Sequence, residues 1–457
     1  MRDTVLIFAK KALLQTDWFG NVRLTVELGK ITTIVANTSA ETGDVKVDTL
    51  LPALANLHSH SFQRAMAGMT EYRAAGRDSF WTWRELMYRF VNHITPNQMQ
   101  AFAALVFMEM QEAGYASVGE FHYVHHQKGG VAYDDIAELS NQIFAAAQTT
   151  GIGLTHLPVL YSYGAAGEVA LATDQLRFGN DVNHFLKLHM RASEGLKHLP
   201  ADARVGIAPH SLRATSPADL KSLLAHNKTG PIHIHIAEQP KEVEDIEAWL
   251  GARPVEWLLT NANVDHTWCL IHATHMTESE TLRMAKSGAV AGLCPITEAN
   301  LGDGPFNGET YLYAGGAFGI GSDSNVNISL TEELRTLEYS QRLRDMRRNI
   351  LVAGIGSVGQ TLYQGAARGG AQALGRKSGE IAVGHLADLV AINSEAPALC
   401  ALQNEQLLDG LVFAAKDNVI TDLWSAGRHS VKNGHHISHD QILKNYRKAI
   451  AELVDNL

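Results

Sequence analysis

Four residues of this sequence could share one metal ion. His58 and His60 stand two apart in LHSH, His235 lies near the end of IHIHIAEQ, and Asp323 sits in GIGSDSN. Residues two apart on a strand face the same side, so both imidazoles of LHSH can address a single ion. Three imidazoles and a carboxylate around an open position form the donor set of a catalytic zinc site, although iron(II) or manganese(II) could occupy the same donors. Such an ion lowers the pKa of its water to about 7, which makes hydroxide available at neutral pH. Glu238, three residues after His235, is a carboxylate placed for acid–base work, and His272 in IHATH is a further site candidate. Ordinary roles stand beside these: His233 lies deeper on the same side as His235 and suits packing, and His275 suits a loop. An Asp in a turn such as that of Asp323 is commonly a cap. The case for chemistry is that all six candidates fall at the ends of four strand-like runs, in order.

Those runs define the elements that must position them. Eight β-rich stretches alternate with helical patterns: LPALANLH, YASVGEFHYV, GLTHLPVLYS, RVGIAPHS, PIHIHIAE, WCLIHATH, VAGLCPIT and FGIGSDS. The intervening PNQMQAFAALVFMEMQEAG, SPADLKSLLAHN, PKEVEDIEAWLG and TESETLRMAKSG read as helices, several with a polar start and a glycine stop. Eight βα units predict a (β/α)₈ barrel over residues 51–378, whose catalytic groups lie at the C-terminal ends of the strands. Residues 1–50 and 379–435, which include IAVGHLADLVAIN and VITDLWSAG, are strand-rich and predict a small β-sandwich domain built from both ends of the chain. Residues 436–457 carry helical periodicity.

Composition narrows the class. The 457 residues are 46% apolar and 19% charged, which is ordinary for a globular enzyme, and the net charge of −10 argues against a nucleic-acid partner. Cys269, Cys294 and Cys400 are too far apart in sequence for a CxxC metal site or a disulfide framework and point to a reducing cytoplasm. The apolar run Val5–Ala9 is too short for a signal-peptide core and reads as a strand. No run reaches the ~18–20 apolar residues of a membrane span.

The strings LHSH, HIHIAE, IHATH and GIGSDSN, together with the GHLADLVAIN segment, resemble the amidohydrolase superfamily over essentially the whole chain. Members with two metals often bridge them with a strand-four lysine; VGIAPHSLRA has none, which implies the mononuclear deaminase branch. Within it, LHSHSFQRAMAG, DSFWTWRELMYRF, GEFHYVHH, APHSLRA, CPITEANLGDG and FGIGSDSNV are similar to the formiminoglutamate deiminases. The resemblance implies hydrolysis of N-formimino-L-glutamate to the formyl compound and ammonia, by a homodimer. It makes His58, His60, His235 and Asp323 zinc ligands, and Glu238, His272 and Asp323 the catalytic groups. Gln63, Tyr123, His210 and Arg213 become substrate contacts.

The residues themselves agree with a dicarboxylate ligand, since Arg213 offers a planar fork for a carboxylate. Arg84 is a second candidate for that task, with a loop anchor packed by Trp81 and Trp83 as its ordinary role. The segment from Ser61 to about His93, aromatic and directly after strand one, is expected to act as a lid. Two other readings compete. One is deamination of a purine or pyrimidine by the same metal chemistry, and the other is a barrel without catalysis, which the filled set of ligand positions opposes.

Overall fold

The computed structural model describes residues 4–72, 80–226 and 229–455. The chain opens with β1 (Thr4–Leu14), β2 (Asp17–Glu27), β3 (Lys30–Val35) and β4 (Val45–Pro52). Alternate side chains point inward along these strands, Ile7 and Ala9 from β1 and Val22, Leu24 and Val26 from β2, as the two-residue period requires.

The barrel follows: β5 (Leu54–Ser59), β6 (Tyr115–His122), β7 (Gly153–Leu160), the pair β8 (Arg204–Val205) and β9 (Ala208–Pro209), β10 (Ile232–Ile236), β11 (Trp268–His272), β12 (Val290–Leu293) and β13 (Ala317–Ile320). Its hydrogen-bonded order is β10-β11-β12-β13-β5-β6-β7-β8, all parallel, and the seam between the fourth and fifth strand positions is closed by the bridges Ile207–Ile232 and Ser211–His235. All residues of β6 and β7 are buried, as expected of strands covered on both faces.

Two sequence expectations change in detail. LPALANLH is split, because Leu51 and Pro52 belong to β4 and the barrel strand begins at Leu54. RVGIAPHS is two short pieces, because at Ile207 the chain turns to pair across the seam with Ile232 before rejoining β7 at Ala208.

Between strands run the expected helices, with the expected ends. Thr95 caps Pro96–Glu112 in a capping box with Gln98, and Thr277 and Glu280 do the same for Glu278–Ser287. Gly251, at φ 75°, ends Pro240–Leu250 in the left-handed conformation that glycine adopts without penalty.

β14 (Leu389–Ile392), β15 (Ile420–Ser425), β16 (Arg428–Lys432) and β17 (His435–His436) return to the first sheet, where β14 lies antiparallel on β4. Both ends of the chain thus meet in one eight-stranded sheet, separate from the barrel. A buried charge network fastens the two: Arg376 lies between Asp202 at 3.1 Å and Asp388 at 3.0 Å, and Asp202 also binds Arg428 at 2.7 Å. The last helix, His439–Val454, packs on Pro96–Glu112, with the Phe102 and Tyr446 rings 5.9 Å apart. Among the described residues, no helix is long and apolar enough to cross a membrane.

Candidate active site

The ends of β5, β10 and β13 bring four side chains to one point. Nε2 of His58 lies 3.1 Å from Nε2 of His60 and 3.0 Å from Nε2 of His235, and Asp323 Oδ1 is 3.3 Å and 3.2 Å from the first two. Ligand atoms held tetrahedrally at roughly 2.0–2.1 Å from an ion stand about 3.3–3.4 Å apart, so the cluster already has the size of a mononuclear cage. Backbone carbonyls aim the rings, Phe121 O accepting from His60 Nδ1 at 2.9 Å and His210 O from His235 Nδ1 at 3.1 Å. Asp323 is placed by its own backbone, whose N–H donates to His58 O while its carbonyl accepts from His60 N, both at 2.9 Å. Gly321 allows that approach, since a Cβ there would stand 2.7 Å from His58 O. Burial, then the charge of His60, pushes His58 down to about 3, which keeps it neutral as a ligand must be. Burial alone would raise Asp323, but hydrogen bonds to His58 and His60 hold it well below the usual carboxylate range.

Around the cage, a cleft of about 510 Å³ is lined by Gln63, Arg84, Tyr123, His210, Arg213, Glu238 and His272 among others. All the residues expected at the site therefore converge. Glu238 Oε1 lies 3.8 Å from His272 Nε2, and its Oε2 is 3.3 Å from Arg213. The His272 ring stacks on His235 at 5.6 Å and 13°. Burial would lower the His272 pKa, but Glu298, Glu238 and Asp323 raise it to about 10; a bound dication would oppose that charge. Gln63 Nε2 donates to the Tyr123 hydroxyl at 2.8 Å, while its buried Oε1 has no protein partner. His210 is held neutral by burial and by the charges of Arg213 and Arg84. His233, read as a packing residue, is bonded to Ala373 O at 2.8 Å and does not line the cleft.

The amidohydrolase family pattern matches residues 49–429, and the pattern of the N-terminal domain of the formimidoylglutamate deiminase HutF matches residues 4–48. The chain belongs to the amidohydrolase family. This amidohydrolase is 46% identical over 452 residues to formimidoylglutamate deiminase of Pseudomonas aeruginosa, covering 98% of this chain and 99% of the relative. A crystal structure of an amidohydrolase from Brucella melitensis superposes with a TM-score of 0.94 at 45% identity, covering 98% of this chain and 100% of that one. To the 5-methylthioadenosine/S-adenosylhomocysteine deaminase of Bacillus cereus the identity is 26%, over 86% of this chain and 83% of the relative.

Sequence reasoning misplaced or missed several features of the amidohydrolase. From Phe80 onward the expected loop DSFWTWRELMYRF is helical, in the helix Phe80–Val91, which buries Phe80, Met87 and Val91 on one side. Arg84 on that helix lies over the Trp81 and Tyr88 rings and donates to the Tyr161 hydroxyl at 2.9 Å. Residues 73–79 of the expected lid lie outside the described residues. Tyr161, at the end of β7, gave no signal beyond its position. Glu242 was also missed: one turn beyond Glu238 on the helix Pro240–Leu250, it accepts from Glu238 N at 3.0 Å and faces Arg213 at 3.6 Å. Glu298 was missed as well. A further group, Glu112, His435 and His439, is accounted for by the 2.8 Å hydrogen bond between Glu112 and His439 Nδ1.

Proposed function

We propose that this amidohydrolase hydrolyses N-formimino-L-glutamate to N-formyl-L-glutamate and ammonia, a step of histidine degradation. The end-to-end 46% identity to the Pseudomonas aeruginosa formimidoylglutamate deiminase carries the substrate assignment. The cleft supports it, since Arg84 and Arg213 offer two guanidiniums beside the cage, and a glutamate derivative carries two carboxylates.

In this reading His58, His60, His235 and Asp323 hold one zinc ion, which makes hydroxide available near neutral pH by lowering the pKa of water. Asp323 takes the proton that the water gives up. Glu238 protonates the imine nitrogen as the new C–O bond forms at the formimino carbon. It then takes up the proton that the new hydroxyl loses as the C=O bond forms and delivers it to the nitrogen as the C–N bond breaks and ammonia leaves, each transfer contributing about 10²- to 10⁴-fold, and the proton on Asp323 returns to Glu238 to restore the resting state. His272 orients the attacking oxygen through Nε2, and Gln63 Oε1 accepts an N–H of the substrate. Arg213, Arg84, Tyr123 and His210 fix the carboxylates.

Zinc suits the donors, as do iron(II) and manganese(II), and elemental analysis of purified protein separates them. The same reading makes the protein a cytoplasmic homodimer. Its three unpaired cysteines agree with a reducing compartment, and sedimentation tests the dimer. The deciding experiment is ammonia release, on protein of known metal content, from N-formimino-L-glutamate and from 5-methylthioadenosine. Turnover of the first alone is expected; turnover of the nucleoside alone sinks the assignment.

A further inference from the structure

We propose that Glu298 is a positioning residue that fixes the tautomer and orientation of His272. The helix Pro295–Leu301, just past β12, carries Glu298 under the barrel mouth, where it is 5% exposed. Its Oε1 accepts from Cys294 N at 2.9 Å and from His272 Nδ1 at 3.2 Å. The backbone bond holds the carboxylate still; the imidazole bond uses it. That oxygen already accepts the Cys294 N–H, so the hydrogen between it and the ring comes from Nδ1, and Nε2 is the nitrogen left to face the cleft.

Nε2 of His272 is buried and has no protein partner. It stands 3.8 Å from Glu238 Oε1 and 3.9 Å from Asp323 Oδ2, spans too long for a hydrogen bond and suited to a bridging water or substrate atom. The rest of the mouth sharpens the contrast. His60 and His235 rest their Nδ1 atoms on backbone carbonyls, and His210 rests its Nδ1 on the Ser211 hydroxyl. Among the described residues, His272 is the mouth histidine with a carboxylate at Nδ1. Its backbone is also constrained, at φ 66°, so the side chain leaves the strand end in a direction that an extended residue would not give it. Holding such a ring takes a fixed anchor, which the start of the helix supplies.

The inference rests on the reading of His272 as a partner of the attacking oxygen, and the test separates the two. Glu298→Gln keeps the size and an accepting oxygen but loses the charge, while Glu298→Ala removes the anchor. We expect kcat to fall roughly 10-fold in the first and roughly 100-fold in the second, with KM within about twofold and metal content unchanged. In a His272→Asn background, neither substitution costs a further factor of more than about two. A readout independent of turnover is ¹⁵N NMR of histidine-labelled protein, with the His272 signal identified by its loss in His272→Asn. A protonated Nδ1 is expected in the wild type, with that signal moved or lost in Glu298→Ala. Equal penalties in both backgrounds, an effect confined to KM, loss of metal, or an unchanged Nδ1 signal would each overturn the proposal. Full activity of His272→Asn would instead remove the premise.

Discussion

Glu238 faces the Arg213 guanidinium at 3.3 Å and the His272 ring at 3.8 Å, and it holds no position in the cage. Glu238→Gln therefore should cut kcat by about 10²- to 10⁴-fold while metal content, read by elemental analysis, stays at the wild-type level. Near-normal turnover would remove Glu238 from the proton path. The two arginines make a sharper test. Arg84→Met and Arg213→Met should each lower kcat/KM by about 10- to 100-fold, the cost of a charge-assisted bond. On analogues lacking one carboxylate, each variant should lose its penalty with one analogue and keep it with the other. Equal losses on both analogues would show that the guanidiniums do not divide the carboxylates. The donors were legible because strand-end histidines two apart, and a carboxylate after small residues, leave a mark in sequence. Glu242 and Glu298 were not: each acquires its role from a neighbour that the fold brings beside it, His272 at 26 residues' distance in the second case and Glu238 a helical turn away plus an arginine from another loop in the first.

At the level of elements, all eight barrel strands were visible as β-rich runs, since parallel strands buried on both faces must be apolar throughout. What escaped was where strands break. The fourth position divides at Gly206–Ile207, where the chain changes partner, and no composition rule marks such a switch. The helix Phe80–Val91 escaped because its aromatic residues, of which Phe80, Trp83 and Tyr88 line the cleft, obscured the apolar period. Close approach between strand ends also leaves little trace in sequence. Gly321→Ala should force the end of β13 away from His58 and move Asp323 relative to the three imidazoles, without altering any donor. We expect metal affinity to fall at least about tenfold, measured by competition with a chelator, with the far-UV circular dichroism unchanged. Wild-type affinity would show that the gap between the strands is not what sizes the cage.

For the molecule as a whole, acid should act through buried histidines behind the barrel. His156, bonded to Ser140, is pushed down to about 3, first by burial and then by the charge of His125. It is neutral in the fold, whereas in the unfolded chain it takes up a proton near pH 6.5. Its contribution to stability is thus complete above about pH 6.5 and drains away as the pH falls towards about 3, by up to about 1.4 kcal/mol per unit. His156→Gln should flatten the fall of the urea midpoint between pH 7 and 4.5 by the equivalent of one proton, and identical slopes would refute the assignment. The small sheet has a different consequence. Leu389 pairs with Pro52, and Ser394 N donates to an Asp48 carboxylate 346 positions earlier. During translation, β1 to β4 leave the ribosome long before β14 exists, with the edge of β4 and its Leu50 and Leu51 open to any other strand. The strand that seals β4 is made only after every strand of the barrel, so a nascent chain carries an open apolar border through the synthesis of the whole barrel.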